Sequence, residues 1–133
     1  MPDGQTHAML TLLGAPVAGI SAYYLSADPI QAAACSIGCL TGLVLTPDLD
    51  LPRGRGLWRL YWLPYEKLSN HRGLSHAPIL GTLIRLLYFA PLLVAISIIW
   101  ISIIRIMLPP ALFIWWAAGL MFSDLLHLGA DSL

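Results

Sequence analysis

From Leu86 to Ile104 the chain carries no charged residue. About 20 consecutive apolar residues, wound as a helix, cross the roughly 30 Å hydrocarbon core of a bilayer. Inside lipid every backbone N–H and C=O must be satisfied within the protein, so an isolated stretch of this kind has to be helical. This segment selects an all-α membrane protein, and the composition agrees. Hydrophobic residues make up 58% of the chain and charged ones 11%, where a soluble domain carries about a quarter charged. A length of 133 residues suits a single membrane-embedded domain, residues 1–133, with no room for a second.

Three further segments read as spans: about Ala8 to Ser26, about Ile30 to Thr46, and about Ala111 to Leu128. The charge-free stretch extends to a fourth, from about Ile79 to Ile104. Asp28-Pro29, Pro47 and Pro109-Pro110 punctuate them, because proline lacks the amide a continuing helix requires. Pro16 and Pro91 fall inside spans, which membrane helices tolerate. Gly38 and Gly42 form a GxxxG pair on the second span. Gly14, Ala18 and Ala22 make a similar small-residue face on the first, and such faces let helices approach closely in lipid. The connection between these two spans is short, so they should form an antiparallel hairpin. The expected architecture is an integral membrane four-helix bundle. Cys35 and Cys39, four apart on the second span, read as small buried apolar residues. The first ten residues contain no Lys or Arg, so no secretory signal of the usual kind is expected.

The chemistry-bearing residues are few. All four histidines and four of the seven acids belong to the set His7, Asp48, Asp50, His71, His76, Asp124, His127 and Asp131. His7 lies at the start of the first span. Two crossings later the chain reaches Asp48 and Asp50, and it stays on that side through His71 and His76. Two more crossings bring it to Asp124, His127 and Asp131. An even number of crossings puts all three clusters on one membrane face, whereas three or five spans would have split them.

The loop from Leu51 to Arg72 carries Arg53, Arg55, Arg59, Lys67 and Arg72, against Arg105 alone near a membrane end on the other side. The positive-inside rule then places the loop, the site and both termini on the cytoplasmic side of an inner or plasma membrane. A net charge of zero argues against nucleic acid as a main partner. Arg85, early in the third span, could snorkel to the interface or point into the site. Trp58, Tyr61, Trp62 and Tyr65, interleaved with Arg59 and Lys67, read as an interfacial segment with rings at headgroup level. A lid or lipid gate over the site is the functional alternative.

Three motifs carry the proposed chemistry. Asp124-x-x-His127-x-x-x-Asp131 puts two carboxylates and an imidazole on one helical stripe. In Thr46-Pro47-Asp48-Leu49-Asp50 the proline stops the helix. Asp48, nearest the helix end, is the favoured ligand, and Asp50 could serve a second ion, orient a ligand histidine or act as a base. In Asn70-His71-Arg72-Gly73-Leu74-Ser75-His76 two imidazoles flank a glycine, Ser75 could cap a helix, and Arg72 could hold an anion such as phosphate. His7 is the weakest single ligand candidate, and topology alone returns it to the site. Imidazole and carboxylate ligands without thiolate suit Zn²⁺, Mn²⁺ or Fe²⁺. Seven candidates (His7, Asp48, His71, His76, Asp124, His127, Asp131) exceed one tetrahedral site, so one or two ions are expected.

At these residues the chain resembles the YdjM-like family of bacterial membrane-bound metal-dependent hydrolases. The resemblance rests on His7 before the first span, Pro47-Asp48-x-Asp50, His71-Arg72-Gly73-x-Ser75-His76, and Asp124-x-x-His127-x-x-x-Asp131. It covers nearly the whole chain. A fainter similarity to zinc-dependent phospholipase C and related zinc nucleases lies in the His127-x-x-x-Asp131 pair, and it tilts the implied substrate toward phosphodiesters.

The expected function is therefore a membrane-bound metal-dependent hydrolase of a phosphoester or phospholipid-like substrate. A metal-activated water attacks, Asp50 or Asp131 acts as general base, and Arg72 binds the anion. Its partners would be membrane lipid and a small anionic or lipid substrate. The alternative is a non-catalytic metal-binding membrane protein: a sensor, a store or a partner-docking subunit. A transporter fits less well, because a conduction path would put polar groups near the midplane. Oligomeric state is not legible.

Overall fold

The computed structural model describes residues 4–50, 56–68, 77, 79–104 and 107–132. Among the described residues, five α-helices run in the order α1 (Gly4–Ser26), α2 (Pro29–Thr41), α3 (Leu57–Leu68), α4 (Leu80–Ile104) and α5 (Pro110–Asp131). A short 3-10 turn (Pro47–Asp50) follows α2, and the described residues contain no strand. Among the described residues, three helical segments are long and apolar enough to cross a membrane: Gln5–Ser26, Leu80–Ile103 and Pro110–Asp131.

The connection from α1 to α2 is two residues long. Ala27 takes a positive φ of 53°. Asp28 then caps α2, its Oδ1 accepting from the amides of Ile30 at 2.8 Å and Gln31 at 3.3 Å. An N-cap carboxylate satisfies amides the first turn leaves without partners, and Pro29 at the first helical position lacks such an amide to begin with. The expected hairpin follows, with the two helices packed against each other.

The expected second span stops early. Regular helix ends at Thr41, 13 residues from Pro29, or about 20 Å at 1.5 Å per residue. Tight turns continue it: Gly42 N–H donates to Cys39 O, Leu43 to Leu40 O, and Val44 and Leu45 to Thr41 O, all at 2.9–3.0 Å. Pro47 cannot donate and disfavours helix in the residue before it, so the chain tightens before it turns away.

Helices α1, α2 and α5 form the packed core. Small residues make it possible. Ala15, Ala18, Ala22, Cys35 and Cys39 are buried together. A β-carbon on Gly38 would run into the Trp116 backbone, and one on Gly119 into the Cys35 backbone. Gly42 lies against Ser123 and Gly14 against Leu126, so both small-residue faces are helix contacts. Cys35 and Cys39 are free thiols, and the Cys39 Sγ lies 3.7 Å from Thr11 O.

Helix α4 stands off this core and meets α5 over a short stretch. Its middle is exposed, with Leu87, Val94, Ile98, Ile99 and Ile103 all open. A helix apolar on every side and unpacked by protein is one that lipid can surround.

Helix α3 departs from the interfacial reading. Trp62 and Tyr65 are buried with Leu45 and Leu120, packed by Tyr88 and Phe89 of α4. The Trp62 ring stacks on Phe89 at 6.2 Å and tilts against Tyr88 at 5.3 Å. Tyr61 Oη donates to Tyr88 O at 2.8 Å, and Tyr88 Oη donates to Tyr61 O at 2.6 Å. The aromatic rings of α4 supply apolar partners for this side of α3, while Leu57, Arg59, Leu60, Pro64 and Lys67 stay open.

Candidate metal centre

Helix α5 supplies the backbone of the site. Offsets of three and four place Asp124, His127 and Asp131 on one stripe, and the stripe turns toward α1 and the chain leaving α2. Asp124 and His127 are buried, and the Asp131 side chain is 27% exposed. Near the start of α1, His7 faces the end of α5. Two groups lower down pin the antiparallel pairing of these helices: the hydroxyls of Thr11 and Ser123 lie 3.4 Å apart, both buried.

Four of the expected residues come together. His7 Nε2 is 3.2 Å from Asp131 Oδ1. His127 Nε2 is 3.5 Å from Asp131 Oδ2 and 3.7 Å from Asp48 Oδ1. The two imidazoles stack with centroids 3.9 Å apart and planes 20° from parallel. The Asp131 carboxylate thus spans both rings, and the 3-10 turn that begins at Pro47 brings Asp48 to the same His127 nitrogen.

These separations suit a metal. Ligand bonds of about 2.0–2.1 Å in a tetrahedron place neighbouring donor atoms about 3.3–3.4 Å apart. One donor atom from each of His7, His127 and Asp131 fits within a 4.8 Å cluster. Two imidazoles and two carboxylates without thiolate form a borderline-to-hard donor set that suits Zn²⁺, Mn²⁺ or Fe²⁺. His7 Nδ1 is buried and has no hydrogen-bond partner among the described residues.

The remaining expected site residues are Asp124, Asp50, His71, Arg72 and His76. Asp124 sits one turn before His127, where its Oδ2 accepts from both Thr82 Oγ1 and Arg85 Nη2. Its Oδ1 is buried without a hydrogen-bond partner among the described residues. Asp50 closes the 3-10 turn with its backbone, and its side chain lies outside the described residues. His71, Arg72 and His76 also lie outside them.

Arg85 does not snorkel. It is 2% exposed and is held by Asp124, by Leu45 O at 2.6 Å and by Gly81 O at 3.3 Å. Thr82 was not singled out by sequence. Its signal was its position one turn before an arginine inside an apolar span, the spacing at which both side chains can address one carboxylate.

A family model described as "Uncharacterized metal-binding protein (DUF2227)" matches residues 2–133. An uncharacterized protein of Aquifex aeolicus (strain VF5) is 45% identical over 58 residues, 39% of this chain and 41% of that protein. The chain spans about two fifths of the length of this curated relative. No solved structure matches the chain.

Proposed function

The chain belongs to the DUF2227 family of uncharacterized metal-binding proteins, and from that premise we propose that His7, Asp48, His127 and Asp131 hold a divalent transition metal at one face of a membrane. The observation that carries this reading is convergence. One donor atom from each of His7, His127 and Asp131, at opposite ends of the chain, lies within 4.8 Å of the others, and Asp48 stands beside this cluster, 3.7 Å from His127. In this reading the hairpin of α1 and α2 with α4 and α5 forms a four-helix membrane unit, with the site and both termini cytoplasmic. Zn²⁺ is the first candidate, with Mn²⁺ and Fe²⁺ behind it. His71 and His76 are ligands of the same ion or a second one, and Asp124 has only Oδ1 left to offer.

The finer reading is a hydrolase of phosphoester or phospholipid-like substrates, in keeping with the YdjM-like resemblance. A metal bound here would supply Lewis acidity toward water and a phosphoryl oxygen. His7, His127 and Asp131 bind it, Asp50 accepts a proton, and Arg72 holds the anion. A catalytic centre keeps one coordination position open, whereas a structural one is closed. Asp48 has the longest of the histidine–carboxylate separations in this cluster, 3.7 Å from His127, and standing aside from the ion it would leave that position open. If instead all four side chains ligate, the tetrahedron is full and the protein is a non-catalytic sensor, store or docking subunit.

The test is elemental analysis of the detergent-purified protein beside the His7→Ala/His127→Ala double variant, followed by phosphoester turnover with and without metal. Metal in the wild type and none in the variant supports the site. Metal-dependent turnover lost in Asp50→Asn selects the hydrolase. Equal metal in both proteins rejects the site.

A further inference from the structure

Arg85 contacts none of the four converging side chains, yet its guanidinium joins three elements. Nε donates to Gly81 O within α4. Nη1 donates to Leu45 O, in the turn that leads from α2 to Asp48. Nη2 donates to Asp124 on α5, where Thr82 donates to the same oxygen. Leu45 precedes Asp48 by three residues, and Asp124 precedes His127 by one helical turn. The two arms of the fork therefore end one short step from two residues that must meet, Asp48 and His127.

The surroundings make this tie a rigid one. Arg85, Leu45 and Asp124 are all at most 3% exposed, and a buried charge-assisted hydrogen bond is far less screened than a surface one. Arginine's planar fork has fixed angles between its donors, so it sets the angle between the chain after α2 and the last turns of α5. The α1, α2 and α5 core packs without Arg85. Regular helix has ended at Thr41; Gly42 against Ser123 and Leu45 against Leu120 hold the next residues to α5, and Arg85 adds the one side-chain hydrogen bond to the Leu45 carbonyl among the described residues.

We infer that Arg85 is a positioning residue for the metal centre: through Leu45 O and Asp124 it sets the placement of Asp48 against His127. This rests on the metal reading above. A residue needed only to neutralise Asp124 could be replaced by any buried cation. One that sets an angle could not, since a lysine ammonium is a point charge that cannot address both acceptors in a fixed fork.

The experiment is titration of the full-length protein in detergent with Co²⁺, following the ligand-field absorption and the affinity, alongside thermal melting. Wild type, Arg85→Lys, Arg85→Met/Asp124→Asn and His127→Ala are compared. The expected result is that Arg85→Lys melts close to wild type but binds Co²⁺ about 10- to 100-fold more weakly, the range typical of residues that orient metal ligands, with an altered absorption envelope. Wild-type affinity and spectrum in Arg85→Lys would overturn the inference and leave the metal site standing. Should Arg85→Lys fail to fold, the neutral pair Arg85→Met/Asp124→Asn decides by the same criteria. Loss of folding in both makes the arginine a folding residue and overturns the inference. Equal Co²⁺ binding by wild type and His127→Ala rejects the metal reading itself, an outcome distinct from the others.

Discussion

The α1, α2 and α5 core and the α4 arm are both apolar helix, but they are held by opposite means. The core is made of small residues, and its helices approach until backbone meets backbone at Gly38 and Gly119. Helix α4 is built of large aliphatic residues that mostly face outward, and it is secured near one end by the Arg85–Asp124–Thr82 contacts and the aromatic cluster with α3. In lipid there is little hydrophobic gain in packing one apolar helix on another, so association comes from close van der Waals contact or from polar bonds. The core leans on the first, and α4 joins α5 chiefly by the second. The metal candidates lie where the two meet: His7, His127 and Asp131 come from the core, and Asp48 comes from the segment that Arg85 holds.

Breaking the polar attachment should have the largest effect. Arg85→Met takes the cation away from buried Asp124, a loss of about 3–5 kcal/mol for a broken buried pair, read as a lower melting temperature in detergent. Gly38→Ala attacks the other mode. Its β-carbon meets the Trp116 backbone, which cannot swing aside as a side chain would, so about 1–3 kcal/mol should be lost. Ile98→Ala on the open face of α4 is the matched control. That residue is 60% exposed, and the change should stay within about 0.5 kcal/mol. Equal effects of Gly38→Ala and Ile98→Ala would erase the contrast between the regions. Metal sharpens it from the other side. Saturation at 100 times Kd should stabilise the folded state by about 2.7 kcal/mol, and chelation should reverse this in wild type but not in His127→Ala.

The core was easier to read than the arm for a physical reason. Hydropathy located α1, α4 and α5 within a few residues, because length and charge exclusion are properties of a single segment. The small faces at Gly14/Ala18/Ala22 and Gly38/Gly42 were also visible, since close approach in lipid requires small residues. The sequence reading grouped His7, Asp48, His127 and Asp131 at one end by counting four crossings, and the structure holds these four near one another with three helices long enough to cross among the described residues. The early end of α2 was hidden, because the residues from Gly42 to Thr46 are apolar whether helical or turned. Burial of Trp62 and Tyr65 was hidden too. Aromatic residues interleaved with basic ones read alike at a headgroup surface and under a helix, and only the partners Tyr88 and Phe89 decide. The Arg85–Asp124 pair joins residues 39 apart, and no local pattern announces such a partnership.

A smaller effect than those at Arg85 and Gly38 tests how the aromatic side of the arm is held. Tyr61 and Tyr88 each donate to the other's backbone carbonyl, so the clasp between α3 and α4 is doubled. A helical carbonyl has a second lone pair, and Tyr61→Phe removes a bond without stranding an acceptor. The loss should be about 0.5–1.5 kcal/mol, the net worth of one such bond. Burial, with a smaller contribution from Tyr88, raises the Tyr61 phenol above its ordinary range. The folded state therefore keeps this proton while an unfolded chain loses it near pH 10. Stability from the clasp is then full below about pH 10 and falls as pH rises toward the raised folded value. Melting curves between neutral and alkaline pH should show that decline in wild type and a shallower one in Tyr61→Phe. Identical slopes would mean that the rings hold α3 by packing alone, and α4 would then depend on Arg85 and Asp124 for its polar attachment.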